Sequence, residues 1–380
     1  MRIAYVYDAV YPWVTGGVQR RVAEIGRRLA DEHEVHWFGT HSWDGPAVVD
    51  VDGITLHGVA PPTPLYVDGR RSIRQALSFT RHLARPLAAE RFDVIDFQEF
   101  PYLPVGPCKL AALRHGTPLV VTWHEVWDDY WDEYLGVAGA AGKLAERSVG
   151  ALADAHVAVS PLTQRRVADL AGDPVELVPN GIDLDAIRAV PAASDHVDVL
   201  YAGRLIPEKN VALLVRAVAR LADETPDVRC RIVGEGPEAE RVKRLVSTLG
   251  LDEQIELSGF LPDSEDVYAL MKAADVVALP SRREGFGITA LEAQACGTPV
   301  VTVDEPMNAA TDLVEDGVTG VVSESTPAAF AAALDAARDL SGRACVSAAA
   351  TYDWDVVAEQ TAASYERIVR TETPKTRRVV

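Results

Sequence analysis

Short apolar runs with no polar face recur along this chain, each followed by a turn-forming loop and a stretch of helical periodicity. A run that does not alternate is buried on both faces, and strands of that kind belong to parallel sheets joined by helices. In residues 1–180 such runs fall at 2–7, 35–38, 54–57, 94–97, 118–123 and 156–159, with helical stretches at 17–31, 71–90, 103–115, 140–153 and 161–171. A second series begins near 197, with runs at 197–202, 228–233, 254–257, 275–279, 299–303 and 320–322. Turn residues cluster between 178 and 194. The pattern predicts an α/β protein with two doubly wound parallel sheets, one in 1–180 and one in 181–354, and a last helix over 355–372. The tail after residue 370 is polar and basic, and fraying is expected there.

At 380 residues the chain is long enough for two ordinary domains. Its mean hydropathy is near zero, and no apolar run reaches the length of a membrane-crossing helix. Strand residues begin at once, so no signal peptide is expected. The four cysteines (Cys108, Cys230, Cys296, Cys345) have no metal-ligand spacing and suit free thiols in a reducing cytoplasm. Net charge is −19, which argues against nucleic acid as a partner. Only six of the 37 basic residues are lysine. Excess acid with scarce lysine suggests a salt-adapted cytoplasm, where screening weakens self-repulsion and stability should rise toward molar KCl.

The stretch from Asp275 to Pro299 concentrates the chemistry. A buried strand ends at Pro280, a loop carries Gly285 and Gly287, and a helix from about 287 to 296 closes on Gly297. Glu284 then lies in the loop at the strand's C-terminal end, with Glu292 further along the helix. Ligands of open α/β sheets bind at that end of the strands, and the first N–H groups of the helix attract an anion. Glycines let the backbone approach a ligand, and carboxylates accept several hydroxyl bonds at once. Glu284 and Glu292, inside E-G-F-G-I-T-A-L-E, resemble the E-x7-E signature of retaining glycosyltransferases of family 4, which have the GT-B fold of two Rossmann-like domains facing across a cleft.

Other blocks match that family in order. Gly203-Arg204-Leu205-Ile206-Pro207-Glu208-Lys209-Asn210 resembles its G-R-x-x-x-x-K-(G/N) block, and Val178-Pro179-Asn180-Gly181-Ile182-Asp183 its interdomain hinge. Gly234-Glu235-Gly236-Pro237 resembles its G-x-G-P segment, read here as mainly structural, with Pro237 suited to a first helical turn. The resemblance implies that Arg204 and Lys209 hold the donor's pyrophosphate. Glu284 would hold hydroxyls of the transferred sugar, and Glu292 the ribose. Backbone N–H groups of Gly285, Phe286, Gly287 and Ile288 would meet sugar and phosphates. It also implies that the loop at Gly16 and Gly17 faces the diphosphate. A tight turn needing positive φ is the other explanation for that glycine pair. The helix over 355–372 would cross back onto the first domain.

His124 ends a first-domain strand, where the family carries a histidine near the donor sugar. A hydrogen-bonded structural histidine is the alternative. Trp123 and Trp127 beside it could stack on sugar faces. Three D-x-D pairs (Asp50/Asp52, Asp183/Asp185, Asp353/Asp355) recur at chance frequency and outside the right context. Neither metal nor cofactor is expected. Arg70, Arg71, Arg74, Arg81, Arg85 and Arg91 share a segment with a single acid, Glu90. On one helix Arg71, Arg74, Arg81 and Arg85 would share a face opposite Ile73, Ala76, Leu77, Thr80, Leu83 and Leu87. That is either a helix packed on the sheet or a contact for anionic lipid.

The resemblance implies transfer of a hexose-type sugar from a nucleotide diphosphate sugar to a hydroxyl of a glycan or lipid acceptor. Retention of configuration is implied too, in the cytoplasm or at the inner membrane face. A nucleotide-sugar 2-epimerase of the same architecture and a silent sugar-nucleotide-binding protein are the alternatives. The E-G-F-G context argues against the first. Intact Glu284, Glu292, Arg204 and Lys209 argue against the second.

Overall fold

A computed structural model describes residues 1–67 and 70–372 and divides the chain into two α/β units, one of Met1–Asn180 with the segment from Trp354 onward, the other Gly181–Asp353. The tail expectation for 373–380 lies outside the described residues.

The first unit is built on β1 (Arg2–Val6), β2 (Glu34–Thr40), β3 (Val48–Val51), β4 (Ile54–Ala60), β5 (Tyr66–Val67), β6 (Arg70–Arg71), β7 (Val94–Gln98), β8 (Leu119–Trp123), β9 (Ala155–Ala158) and β10 (Val175–Leu177). Its helices are α1 (Gly17–Leu29), α2 (Ile73–Ala89), α3 (Val105–His115), α4 (Tyr130–Leu135), α5 (Gly139–Leu152) and α6 (Pro161–Ala171). Eight strands run in the order β10-β9-β8-β7-β1-β2-β4-β3, while β5 and β6 form a small antiparallel pair. The sheet is not wholly parallel, because β3 pairs antiparallel with β4 at the edge. The sequence pattern missed β3 because an edge strand with one wet face carries no continuous apolar run.

The second unit opens with α7 (Leu184–Ala189) and continues through β11 (Val197–Ala202), α8 (Val211–Glu224), β12 (Cys230–Val233), α9 (Ala239–Thr248), β13 (Ile255–Gly259), α10 (Ser264–Lys272) and β14 (Ala274–Leu279). Then come β15 (Arg283–Glu284), α11 (Ile288–Ala295), β16 (Val300–Val303), β17 (Met307–Asn308), β18 (Gly320–Ser323), α12 (Pro327–Ala337) and α13 (Gly342–Ala349). Its six parallel strands run β13-β12-β11-β14-β16-β18, the Rossmann order with the strand sequence reversing between β11 and β14. In the first unit the reversal lies between β1 and β7. Loops leaving the C-terminal ends of these four strands are therefore where each unit can hold a ligand.

The last helix, α14 (Trp354–Glu372), packs on α1, and Trp354, Val357, Tyr365 and Ile368 join the core on that face of the first sheet. All four cysteines are free; Cys108, Cys230 and Cys345 are buried.

Two helix starts differ from expectation. Pro237 lies before α9, not in its first turn, since Gly236 and Pro237 are held in a turn by the bond from Glu238 N to Leu205 O at 2.9 Å. The basic segment is not one helix. Ser72 caps α2 by accepting from Gln75 N at 3.2 Å, which leaves Arg70 and Arg71 on β6. The buried face of α2 is Gln75, Ala76, Phe79, Leu83 and Leu87. Ile73 and Leu77, expected inside, stand 70% and 55% exposed. Leu77 is turned about 100° from Ala76 by the helical repeat, which carries it off the inner face.

Candidate active site

At the reversal point of the second sheet, the loop after β11 and the loop after β14 are tied together. Arg282 N donates to Glu208 O at 2.8 Å. The first loop is also tied to the next: Gly203 N donates to Val233 O at 3.0 Å and Leu205 N to Glu235 O at 2.8 Å. Such approach demands glycine at 234, where φ is +140° and a Cβ would sit 1.8 Å from Gly203 O. The glycines of this segment are accordingly structural.

These ties bring the Lys209 ammonium onto the Glu284 carboxylate in a close ion pair, with both side chains 19% exposed. Glu284 is placed by β15, which pairs in parallel with β17 so that Glu284 lies opposite Asn308. Asn308 is buried and fully used: its Nδ2 donates to Thr302 Oγ1 at 2.9 Å and Val303 O at 2.8 Å, and its Oδ1 accepts from Ala310 N at 3.2 Å. The sequence reading missed Asn308, because only the folded chain sets it beside Glu284.

Arg204 is exposed, and its carbonyl accepts from Tyr201 O–H at 2.9 Å. Burial raises the Tyr201 phenol above its usual range; the charge on Glu284 adds to that and the charge on Arg204 opposes it. Both charges thus act on one hydroxyl, so Arg204, Lys209 and Glu284 share a neighbourhood.

Gly287 caps α11 at φ +97°, and a Cβ there would lie 2.8 Å from Ala310 Cβ. No side chain caps the helix; Ala290 N donates to Gly287 O at 2.8 Å, and the N–H groups of Ile288 and Thr289 ahead of it are the ones that can serve an anion. Gly285 and Ile288 are half-buried. Phe286 is buried edge-on against Tyr352, which leaves only its backbone to meet a ligand. Glu292, in the second turn of α11, accepts from Tyr268 O–H at 3.1 Å. Lys209, Glu284 and Gly287 are thus assembled here, and Glu292 stands along the same helix.

In the first unit Gly16 and Gly17 are exposed at the start of α1, which also has no side-chain cap. Gly16 is extended at φ 170° and Gly17 is not among the positive-φ residues, so a positive-φ turn does not explain the pair. His124 is half-buried just past β8, its Nε2 2.8 Å from Gln98 Oε1. Burial, with the charge of Arg21 added, pushes its pKa down to about 3. The imidazole is therefore neutral through the physiological range. Trp123 is no sugar platform: it is fully buried, and its indole N–H donates to His156 Nδ1 at 3.1 Å. Trp127 is half-buried and stacks on Phe100 with ring centres 5.6 Å apart.

Arg71 is withdrawn from any outward basic face. It donates to both oxygens of the fully buried Asp8 at 2.8 and 2.7 Å. Arg74, Arg81, Arg85 and Arg91 remain exposed. Four of the six D-x-D aspartates are employed in the scaffold: Asp183 caps α7, Asp353 accepts from Leu184 N, Asp50 from Gly53 N, and Asp355 pairs with Arg28. Among the described residues no three His, Cys, Asp or Glu side chains are grouped to hold a metal ion.

Glu99, which the sequence reading passed over, follows β7 with 5% exposure and an unpartnered Oε2. Burial pushes its carboxyl well above the usual range; hydrogen bonds from the backbone N–H groups of His124 and of Glu99 itself oppose that shift, and the charges of Glu125 and Glu146 add to it. A carboxyl held protonated in the fold adds stability below the unfolded-state pKa and loses it as pH rises toward the folded one. Glu99→Gln keeps the shape and cannot ionise. It should leave stability unchanged near pH 4 and raise it by about 1–3 kcal/mol at pH 8, the scale of an uncompensated buried polar group. Denaturant midpoints at the two pH values check this, and equal shifts at both would refute it.

Two Rossmann units, each with a helix start free of a side-chain cap beside its reversal point, the second with Lys209 paired to Glu284 there, define a doubly wound α/β protein. A family model described as Glycosyl transferases group 1 matches residues 185–344, and one described as Glycosyltransferase Family 4 matches 15–186. The chain is 32% identical to the D-inositol 3-phosphate glycosyltransferase of Kribbella flavida, covering 94% of this chain and 92% of the relative. It is 33% identical to the protein of that name from Geodermatophilus obscurus, covering 92% and 84%. Among solved structures, sucrose-phosphate synthase from Thermosynechococcus elongatus is similar with a TM-score of 0.79 at 22% identity, covering 97% of this chain and 99% of the other. Anabaena Alr3699/HepE in complex with UDP-glucose is similar at 0.73 and 19%, covering 97% and 100%. The chain belongs to the family 4, or group 1, glycosyltransferases, and its fold is GT-B.

Proposed function

We propose that the protein transfers a hexose-type sugar from a nucleotide diphosphate sugar to a hydroxyl of a glycan or lipid acceptor, with retention of configuration and without a metal ion. The observation that carries this is the joining of Lys209 to Glu284 beside Arg204, next to the open start of α11. When the glycosidic bond breaks, the nucleoside diphosphate gains negative charge. Fixed cations and helix N–H groups aimed at it stabilise that change more than the ground state. Arg204 and Lys209 take this role, with Gly16 and Gly17 as a second backbone contact. Glu284 and His124 hold hydroxyls of the transferred sugar, and Glu292 the ribose. No side chain is assigned as covalent nucleophile; a donor phosphate oxygen takes the acceptor's proton on the same face. The relative crystallised with UDP-glucose supports a nucleotide-sugar donor.

The test is turnover with a panel of labelled nucleotide sugars, first without an acceptor and then with candidates that include D-inositol 3-phosphate, for which the curated relatives are named. Release of nucleoside diphosphate with a glycosylated product is expected. Isomerised donor without release would mean an epimerase, and binding without turnover a silent binding protein.

Contact with the inner membrane face belongs to the same proposal. Arg74, Arg81 and Arg85 stand exposed on α2 beside Ile73 and Leu77, a basic and apolar combination suited to anionic lipid on a protein of net charge −19. Arg74→Glu with Arg81→Glu should abolish flotation with anionic vesicles; unchanged flotation would remove this contact.

A further inference from the structure

His124 is the end of a buried hydrogen-bond chain that begins on the last helix. Tyr365 of α14 donates its O–H to Asp96 Oδ2 at 2.5 Å. Thr122 Oγ1 lies 2.8 and 3.0 Å from the two oxygens of the same carboxylate. Gln98 Nε2 donates to Asp96 Oδ1 at 3.1 Å, and Gln98 Oε1 faces His124 Nε2 at 2.8 Å. Asp96, Gln98, Thr122 and Tyr365 are each 3% exposed or less.

The chain has a direction. Gln98 turns its NH2 toward Asp96, and its carbonyl oxygen is left for His124. A carbonyl oxygen only accepts, so His124 must carry its proton on Nε2. The lone pair is then fixed on Nδ1.

We infer that Asp96 and Gln98, held by Tyr365 and Thr122, are positioning residues that lock His124 in the Nε2–H tautomer, so that its Nδ1 can only accept a hydrogen bond and therefore reads a hydroxyl. This rests on the proposed contact between His124 and the transferred sugar. It goes beyond that contact by fixing what the imidazole recognises. An acceptor-only nitrogen offers nothing to a phosphate oxygen, which is also an acceptor, and everything to a sugar O–H. The chain also gives α14 a task in the site, because Tyr365 holds the carboxylate that orients Gln98.

The tautomer is measurable without any substrate. Long-range proton–nitrogen correlation spectra of histidine-labelled protein, with His124 assigned by His124→Gln, should place its proton on Nε2. Gln98→Leu, which removes the acceptor, should release the ring to exchange between tautomers. Gln98→Glu, which keeps an acceptor oxygen in the same place, should preserve Nε2–H. In turnover, Gln98→Leu should lower kcat/KM for the nucleotide sugar about tenfold, the scale of one lost hydrogen bond. Its affinity for the free nucleoside diphosphate should not change, whereas general damage to the fold would weaken both. A proton on Nδ1 in the unmodified protein overturns the inference, whatever the kinetics. An equal loss of diphosphate affinity in Gln98→Leu overturns it too. If instead the tautomer is as stated and His124→Ala turns over donor normally, the sugar contact fails, and with it the task assigned to the chain.

Discussion

Lys209→Ala is expected to lower kcat by about 10²–10³, the loss seen when one fixed group that stabilises transition-state charge is removed. The argument starts from the ligand-free pair. Lys209 and Glu284 are in contact and mostly shielded from water, so each sets the electrostatics of the other. Without the ammonium, Glu284 becomes an uncompensated negative charge close to where the diphosphate is proposed to sit. The variant therefore suffers twice, through a lost cation and an exposed repulsion. Lys209→Ala combined with Glu284→Gln should lose less than the two single losses together, since the second change removes the repulsion the first creates even as it gives up the carboxylate proposed to hold the sugar's hydroxyls. Effects on a coupled pair do not add. Steady-state kinetics of the two single variants and the double variant check this. A kcat within threefold of the unmodified enzyme for Lys209→Ala would place the ammonium outside the reaction, and strictly additive losses would deny the coupling.

How much of this was legible beforehand depended on whether the cause was local. The strand runs and the glycine loop before α11 are local signals, and they placed Gly287 at the start of α11 and Glu292 along it, whereas Glu284, read as loop, lies on the two-residue strand β15. Arg204 and Lys209 could be named by motif, but nothing in the sequence says that Glu208 O ties their loop to Arg282. Asn308, which pairs with Glu284 through two-residue strands, gives no periodicity to detect. The chain from Tyr365 to His124 left one visible trace, an aspartate inside the apolar run Val94-Ile95-Asp96-Phe97. A charged group in a doubly buried strand needs buried partners, and that rule would have flagged Asp96. Its partner Tyr365 lies 269 residues away and could not be named. The error at Arg71 was local: Ser72 is a strong helix N-cap, and reading it would have started the basic helix at residue 73 and left Arg71 outside it.

Arg71→Ala should be the most damaging single change to stability in the first unit. Asp8 is fully buried, and Arg71 covers both of its oxygens. Burial raises the Asp8 pKa, and the guanidinium opposes that shift. Arg71 is itself anchored, with its N–H donating to Tyr134 Oη at 3.2 Å and its guanidinium 5.5 and 5.6 Å from the ring centres of Tyr66 and Phe100. Removing one partner of a buried ion pair costs about 3–5 kcal/mol, because the other charge is left in a medium that cannot solvate it. The deficit must depend on pH. Alone, Asp8 has a folded-state pKa above its unfolded value, so the fold keeps its stability below that unfolded value and loses it as pH rises. The loss from Arg71→Ala should be smaller near pH 4 than at pH 8. Adding Asp8→Asn should recover much of it at pH 8, because the amide carries no charge to strand. Guanidinium midpoints for the two variants at both pH values decide the matter: a deficit below about 1 kcal/mol at pH 8, at the level of an exposed pair, would mean that the pair does not hold this loop in solution.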